Sequence, residues 1–393
     1  MKNLTWQNPE QLFVAQELIN KVKSKCCGIK VTMSKPRIIA LYLPQYHPFP
    51  ENDEWWGKGF TEWTNVARAR KLFPGHNQPH IPADLGFYDL RLPEVRMQQA
   101  ELAKQAGIEG FCYYDYWFGN GKRLMERPIT EVINSQKPNF PFCFAWANHS
   151  WYKKLWDPKQ PGKDKLLIKQ EYPGIKDYTE HFYTLLPAFK DNRYVKVNGK
   201  LFYIVYDALG FRDVGTFIRT WRNLAKENSL NDFYFVASDF NSENRQKLLN
   251  MGFDATHNVD HLNIYHKSNL LVKAALTISR KYLHIPMIYK YKNAIKYMLH
   301  PDCQTKETIP VIVPNWDHTP RSGSKGLVLT NADPKYFKEL AKAAIKMVKN
   351  KPEEEQIIIL KSWNEWGEGN YMEPDLQYGH GYINALAEAI KES

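Results

Sequence analysis

Two glutamates, Glu365 and Glu368, stand three residues apart in "KSWNEWGEGNYMEPD", among Trp363, Trp366 and Tyr371. A pair of carboxyl groups is what glycosidic cleavage needs, one protonated and one ionised. Their separation is about 5–5.5 Å for retention and about 6.5–9.5 Å for inversion. Three residues span at most about 10 Å when extended and less in a turn, so the spacing leaves both outcomes open. Gly367 and Gly369 permit a tight backbone that could aim both side chains inward. Trp366 would lower the local dielectric and raise one pKa. Taken alone, E-x-x-E also fits a solvated acidic loop. Glu373 and Asp375, further along the stretch, read as loop-holding groups.

The elements that position the pair decide between these readings. "RIIALYLP" (37–44) is a short β-branched run, and "LPEVRMQQAELAKQAG" (92–107) is a helix opened by Pro93 and closed by Gly107. The alternation then repeats. Strands are expected at 108–117, 140–148, 200–207, 232–240, 253–259, 309–317 and 355–365. Helices are expected near 121–136 and at 178–190, 213–228, 242–250, 333–350 and 381–391. Strands of near-continuous apolar character imply burial on both faces, as in a parallel sheet. Eight strand–helix units predict an α/β chain folded as a (β/α)8 TIM barrel, with long strand–helix loops and a basic insertion before strand 7. No G-x-G-x-x-G follows the first strand, which argues against an open doubly wound sheet. Residues 1–36 read as a helical lead-in, with an apolar face from Leu12, Leu18, Ile19 and Val22, and 37–393 as the catalytic barrel.

Barrel enzymes build their sites at the C-terminal ends of the strands. Here those ends carry polar groups beside rings: Tyr46 and His47; Asp115, Tyr116 and Trp117; Trp146, Asn148 and His149; Asp207; Asp317; and Trp363, Asn364 and Trp366. With Trp56 from the long 44–92 loop, this set is expected to bind a saccharide, which offers hydroxyls to bond and a C–H face to stack. Any single member could equally cap a strand.

Composition agrees. Aromatic residues make up 14% of 393, more than a core needs, and suit surfaces that stack flat ligands. The net charge of +11 suits an anionic partner. Five cysteines without a C-x-x-C argue against a zinc site and for a reducing compartment. The N-terminus has no continuous apolar run, so the expected location is cytoplasmic. His47, His76 and His80 lack strong carboxylate partners, and no metal or other cofactor is expected.

The stretch "WNEWGEGNYMEPD" resembles the signature of the WbsX-type polysaccharide-biosynthesis proteins, which are related to glycoside hydrolase family 99, the endo-acting α-mannosidases. "LYLPQYHPFPENDEWWGKGFTEWTNV" (41–66), "HNQPHIPADLGFYDLR" (76–91) and "VPNWDHTPR" (313–321) match as well, and "FAWANHSW" (144–151) more loosely. The resemblance spans about residues 37–391. It implies a (β/α)8 barrel acting on glycosidic bonds with retention. By analogy Glu365 is a base toward the sugar 2-hydroxyl, and Glu368 is the general acid and then base. The chain departs from the hydrolases at Gly367, and from many relatives by lacking an acidic residue near His149, so mannose is not implied. With no D-x-D motif and no nucleotide site, the residues favour a glycosidase or transglycosidase. The family label favours a glycosyltransferase in lipopolysaccharide or O-antigen assembly. A non-catalytic glycan-binding protein is the third alternative.

Residues 261–301 hold seven Lys or Arg and no Asp or Glu. Leu270, Leu271, Ala274, Ala275 and Ile278 lie at helical spacing among Lys273, Arg280 and Lys281. This is the profile of an interfacial segment, so peripheral membrane contact through 267–300 is one expectation, with a saccharide or lipid-linked oligosaccharide as substrate. An insertion packed on the barrel with a solvated basic face is the other. The basic charge lies away from the strand ends and no nucleic-acid motif occurs, so no nucleic-acid partner is expected. Asp317 and Arg321 are expected to pair internally or to contact a ligand hydroxyl.

Overall fold

The computed structural model describes residues 35–153, 165–259 and 264–393. The lead-in helix expected at 8–24 lies outside them. Pro36–Ser393 form one compact unit.

Eight strand positions make the barrel. They are β1 (Arg37–Tyr42), β2 (Gly110–Trp117), β3 (Phe142–Trp146), β4 (Lys200–Val205), β5 (Phe233–Asp239), β6 (Ala255–Asn258), β7 in two segments (Thr308–Ile309 and Val311–Ile312) and β8 (Ile357–Leu360). Each pairs in parallel with the next, and β8 pairs with β1 through Arg37↔Ile357 to Ala40↔Leu360. The ring closes through β7, whose first segment pairs with β6 and whose second pairs with β8. Pro310 divides the two segments because it has no N–H to give. Its carbonyl still accepts the amide of Ile359 at 3.0 Å. Every residue of β2 is buried, as strands covered on both faces require.

The covering helices are α1 (Pro93–Ala106), α2 (Arg127–Ser135), α3 (Ile175–Phe189), α4 (Val214–Glu227), α5 (Arg245–Asn250), α6 (Leu270–Tyr282), α7 (Pro334–Val348) and α8 (Gly381–Lys391). Helix α1 ends at Gly107, held at φ +81°, where a left-handed residue closes the last turn. Helix α7 opens on Asp333, whose carboxylate accepts the amide of Lys335, followed by Pro334 at its first position.

Two expected strands stop short. The run 309–317 leaves the sheet after Ile312, and 355–365 leaves it after Leu360. Both tails bend over the C-terminal end of the barrel instead. The 44–92 segment covers the same end. It contains two short helices, Pro50–Trp56 and Glu62–Arg68, and is fixed by Leu90 N donating to Tyr46 O and Ala83 N to Pro374 O, each at 2.9 Å.

Candidate active site

Beyond β8 the chain forms a small hairpin, Asn364–Glu365 against Asn370–Tyr371, closed by the turn Trp366–Glu368. Asn364 pins it to the end of β1, accepting Leu43 N at 2.8 Å and donating to Leu43 O at 3.0 Å. The hydroxyl of Tyr46 donates to Asn364 O at 2.5 Å and accepts Trp366 N at 3.0 Å. Gly369 sits at φ +52° with the backbone of Asp317 against it, leaving no room for a Cβ. Asp317 N donates to Glu368 O at 2.8 Å, which latches the turn to the tail of β7. Two carboxylates are thereby fixed by backbone on three sides.

They face a cleft of about 760 Å³ lined by Trp56, Glu62, Tyr114, Tyr116, His149, Trp151, Tyr206, His318, Arg321, Lys361, Glu365 and Glu368, among others. Two cations tie the acids together. Lys361 Nζ lies 3.3 Å from Glu365 and 3.9 Å from Glu368. Arg321 lies 2.6 Å from Glu368, 4.0 Å from Glu365 and 3.0 Å from Glu62. His318 Nε2 is 3.5 Å from Glu368. A side chain on Gly367 would collide with the Glu62 carboxylate, so this glycine admits the Glu62–Arg321 pair to the floor of the cleft.

The two acids are driven apart. Burial pushes Glu365 above the usual carboxylate range, and the charge of Glu368 adds to it; Lys361 and Arg321 only partly offset this. Glu368 also feels burial, but Arg321, Lys361 and His318 outweigh it and hold the group well below its ordinary value. Of the two, Glu365 therefore holds a proton the more readily. Burial lowers Lys361, but the two acids outweigh it and keep the ammonium charged well above its ordinary range.

Of the residues singled out in the sequence, Trp56, Tyr116, His149, Arg321, Glu365 and Glu368 line this cleft. The remainder lie beneath or beside it, each with a partner in the protein. Asp115 is buried between Arg123 at 2.7 Å and His181 at 2.8 Å. Burial opposes its ionisation, but those two partners bring it down to about 2. Trp117 lies flat on His181, with centroids 4.7 Å apart, and donates to Asp177. Trp146 donates to Trp117 O, and Asn148 clamps Asp207 through both backbone groups of that residue. His47 is buried beside Phe49, and burial lowers it to about 4. Tyr46 and Asn364 are the hairpin's ties. Trp363 is fully buried against Phe111, and Trp366 is stacked on Tyr371 at 3.7 Å with its N–H on Glu373. Neither tryptophan is a wall of the cleft, because the 44–92 segment closes over the hairpin on that side. Asp317 does not pair with Arg321. It accepts from Gln78 and Thr319 and meets His76 at 2.7 Å.

The cleft also holds groups that the sequence reading did not single out: Glu62, Lys361, Tyr114 and Trp151. Glu62 lay inside the quoted 41–66 motif. Tyr114 and Tyr116 alternate on β2 and so reach the same side. Lys153 donates to Trp55 O and sits 4.8 Å from the Trp56 ring, fixing that tryptophan at the rim. Among the described residues no cluster of His, Cys, Asp and Glu forms a metal-ligand set, and no helix is long and apolar enough to cross a membrane.

The architecture is that of a (β/α)8 barrel of the kind found in glycoside hydrolases. The GH99 endo-α-mannosidase from Bacteroides thetaiotaomicron superposes with a TM-score of 0.52 over 91% of this chain and 97% of that one, at 14% identity. A glycoside hydrolase-like protein superposes with a TM-score of 0.56 over 91% and 94%, also at 14% identity. These likenesses concern the fold. The chain belongs to the glycosyltransferase WbsX family, whose model matches residues 38–386. It is 33% identical over 358 residues to the uncharacterized protein WxcX of Xanthomonas campestris pv. campestris strain B100. That match covers 90% of this chain and 49% of the relative, so the chain spans about half the length of the curated relatives it matches.

Proposed function

We propose that the barrel breaks and re-forms glycosidic bonds of a bacterial surface polysaccharide with retention, using Glu365 and Glu368 as the reacting pair. The observation that carries this is the two carboxylates on the cleft floor, both within ion-pair distance of Lys361 and Arg321.

The chemistry follows the pattern of glycoside hydrolase family 99. Glu365 accepts the proton of the sugar 2-hydroxyl as that oxygen attacks the anomeric carbon. Glu368 donates a proton to the departing glycosidic oxygen. In the second half Glu368 takes a proton from the incoming acceptor, which opens the strained ring at the anomeric carbon, and Glu365 returns its proton to O2. The raised pKa of Glu365 makes it a stronger base once it is ionised. Glu368 must be protonated to begin, and in the empty cleft Arg321 opposes that. Arg321 already bonds Glu62. A sugar entering between Arg321 and Glu368 would leave the guanidinium on Glu62 and release Glu368 to bind a proton.

The family's name favours a sugar hydroxyl over water as acceptor. Both outcomes use the same first step, and the rings of Trp56 and Trp151 offer stacking surface for an acceptor sugar.

The test is to incubate the protein with O-antigen oligosaccharides and with α-mannan, read the anomeric configuration of the first product by proton NMR, and follow nucleotide-sugar consumption in parallel. Retained configuration, lost in Glu365→Gln and in Glu368→Gln, supports the proposal. Inverted product, or donor consumption indifferent to both substitutions, contradicts it.

A further inference from the structure

We propose that the insertion between β6 and β7 is a docking surface for an anionic lipid bilayer, with α6 as the element that enters the interface. This goes beyond the reaction proposed above and does not depend on it.

The first observation is exposure. The other seven covering helices each bury residues against the barrel, and α6 buries none among its described side chains. Leu270 is 81% exposed, Leu271 83%, Ile278 56% and Tyr282 66%, with Leu283 at 64% just beyond the helix end. At 3.6 residues per turn Leu270, Leu271, Ala274, Ile278 and Tyr282 share one face. The other strongly exposed apolar residues of the barrel, such as Ile175 and Leu376, stand apart in the sequence. The segment is nonetheless a formed helix. Asn269 caps it, accepting Val272 N at 2.9 Å. Buried Ile264, Tyr291, Ala294 and Met298 anchor the insertion on either side, with Tyr291 donating to Val313 O at 2.5 Å.

The second observation is charge. Lys281 lies at the edge of the apolar face, and Lys273 and Arg280 continue along the adjoining side of the helix. No carboxylate is within ion-pair distance of these three among the described residues, and none occurs in the sequence from 261 to 301. An exposed apolar face bordered by unneutralised cations is the arrangement that binds the headgroup region of an anionic leaflet. The same charge disfavours a second copy of this chain, because a face-to-face pair would bring two sets of unneutralised cations together.

Position gives the surface a use. The insertion leaves the barrel at the C-terminal end of β6, the end where the cleft opens. Its strand Met287–Lys290 pairs in parallel with Leu327–Thr330, and Leu327 O accepts His318 N at 3.1 Å. His318 and Arg321 lie in the cleft. The docking surface and the cleft floor are thus joined through one short segment, an arrangement suited to a glycan carried at a membrane.

The test uses the full chain and vesicles of phosphatidylcholine alone or mixed with phosphatidylglycerol, read by cosedimentation. It compares wild type with Leu270→Ser/Leu271→Ser/Ile278→Ser and with Lys273→Glu/Arg280→Glu/Lys281→Glu. All six positions lie on α6, outside the barrel core, and circular dichroism checks each fold. The expected result is binding to the mixed vesicles, weakened by salt and reduced at least about tenfold in each variant. Absent wild-type binding overturns the proposal, as does equal binding by either variant. A concentration-dependent dimer in light scattering that is abolished by the apolar variant would also overturn it, by showing that the face belongs to a second copy. None of these readouts requires turnover, so the outcome is separable from that of the reaction.

Discussion

Glu365 and Glu373 lie in the same short stretch, both are buried, and burial raises both. Glu365 meets cations, Lys361 at 3.3 Å and Arg321 at 4.0 Å, and opens on the cleft. Glu373 meets fixed neutral donors: Gln99 at 2.6 Å, Trp366 at 2.6 Å and Tyr88 at 2.9 Å. Those donors are themselves locked, since the Gln99 carbonyl accepts from Tyr42 and the Tyr88 ring lies against Tyr46 and Trp63. Three neutral hydrogen bonds hold the hairpin in place. A pair of cations holds charge that can be rearranged when a sugar arrives. Burial alone does not distinguish the two acids; the kind of partner does.

The contrast can be broken most severely at the shared cation. Lys361→Met removes the ammonium that contacts both Glu365 and Glu368, leaving the two buried carboxylates with Arg321 and His318. Breaking a buried pair costs about 3–5 kcal/mol. Urea denaturation should show a loss of that order, and a change below about 1 kcal/mol would mean that the acids are not held by charge.

The second prediction concerns pH. Burial raises Glu373 to about 7, above its unfolded value. A carboxyl raised on folding binds its proton more tightly in the native state. Its contribution to stability is complete below the unfolded pKa and is lost as pH rises through about 7. Wild type should therefore lose up to about 3 kcal/mol between mildly acidic and mildly basic pH, and Glu373→Gln should remove that slope. Melting temperatures across this range check it. Parallel slopes in the two proteins would place the titration elsewhere.

A smaller effect sharpens the role of Arg321. In Arg321→Gln the carboxyl of Glu368 loses the cation that most depresses it, so its pKa rises. Activity should fall by about tenfold to a hundredfold, and the basic limb of the pH–rate profile, set by loss of the acid's proton, should move to higher pH. A limb that stays in place would separate Arg321 from the acid.

The barrel was legible because its strands are short, near-continuous apolar runs that alternate with helices opened at Pro93 and Asp333. The seventh strand was misplaced by five residues at its end. "VPNWD" has strand-like composition, but Trp316 and Asp317 are needed over the barrel mouth, where Asp317 meets His76 and Gln78. The same cause explains the aromatic strand ends. Trp117, Trp146, Trp363 and Trp366 have the composition of a sugar platform, yet Trp117 and Trp146 are covered by side chains of α3 and α4, Trp363 packs on Phe111, and Trp366 lies under the 44–92 segment, contacts that no local pattern encodes. Glu62 shows the converse. It sits on a seven-residue helix within the 44–92 segment, and the absence of a side chain at Gly367 leaves it room beside Arg321, next to Glu365 and Glu368.

The most direct measurement places Glu365→Gln, Glu368→Gln and Glu373→Gln side by side on one glycan substrate. Initial rates of sugar release or transfer are read at a pH where all three proteins are folded. The first two should lose about a thousandfold or more while remaining folded by circular dichroism. Glu373→Gln should stay within about threefold, because an amide can keep the hairpin's shape without carrying its charge. Equal losses in all three, or full activity in Glu368→Gln, would contradict the account.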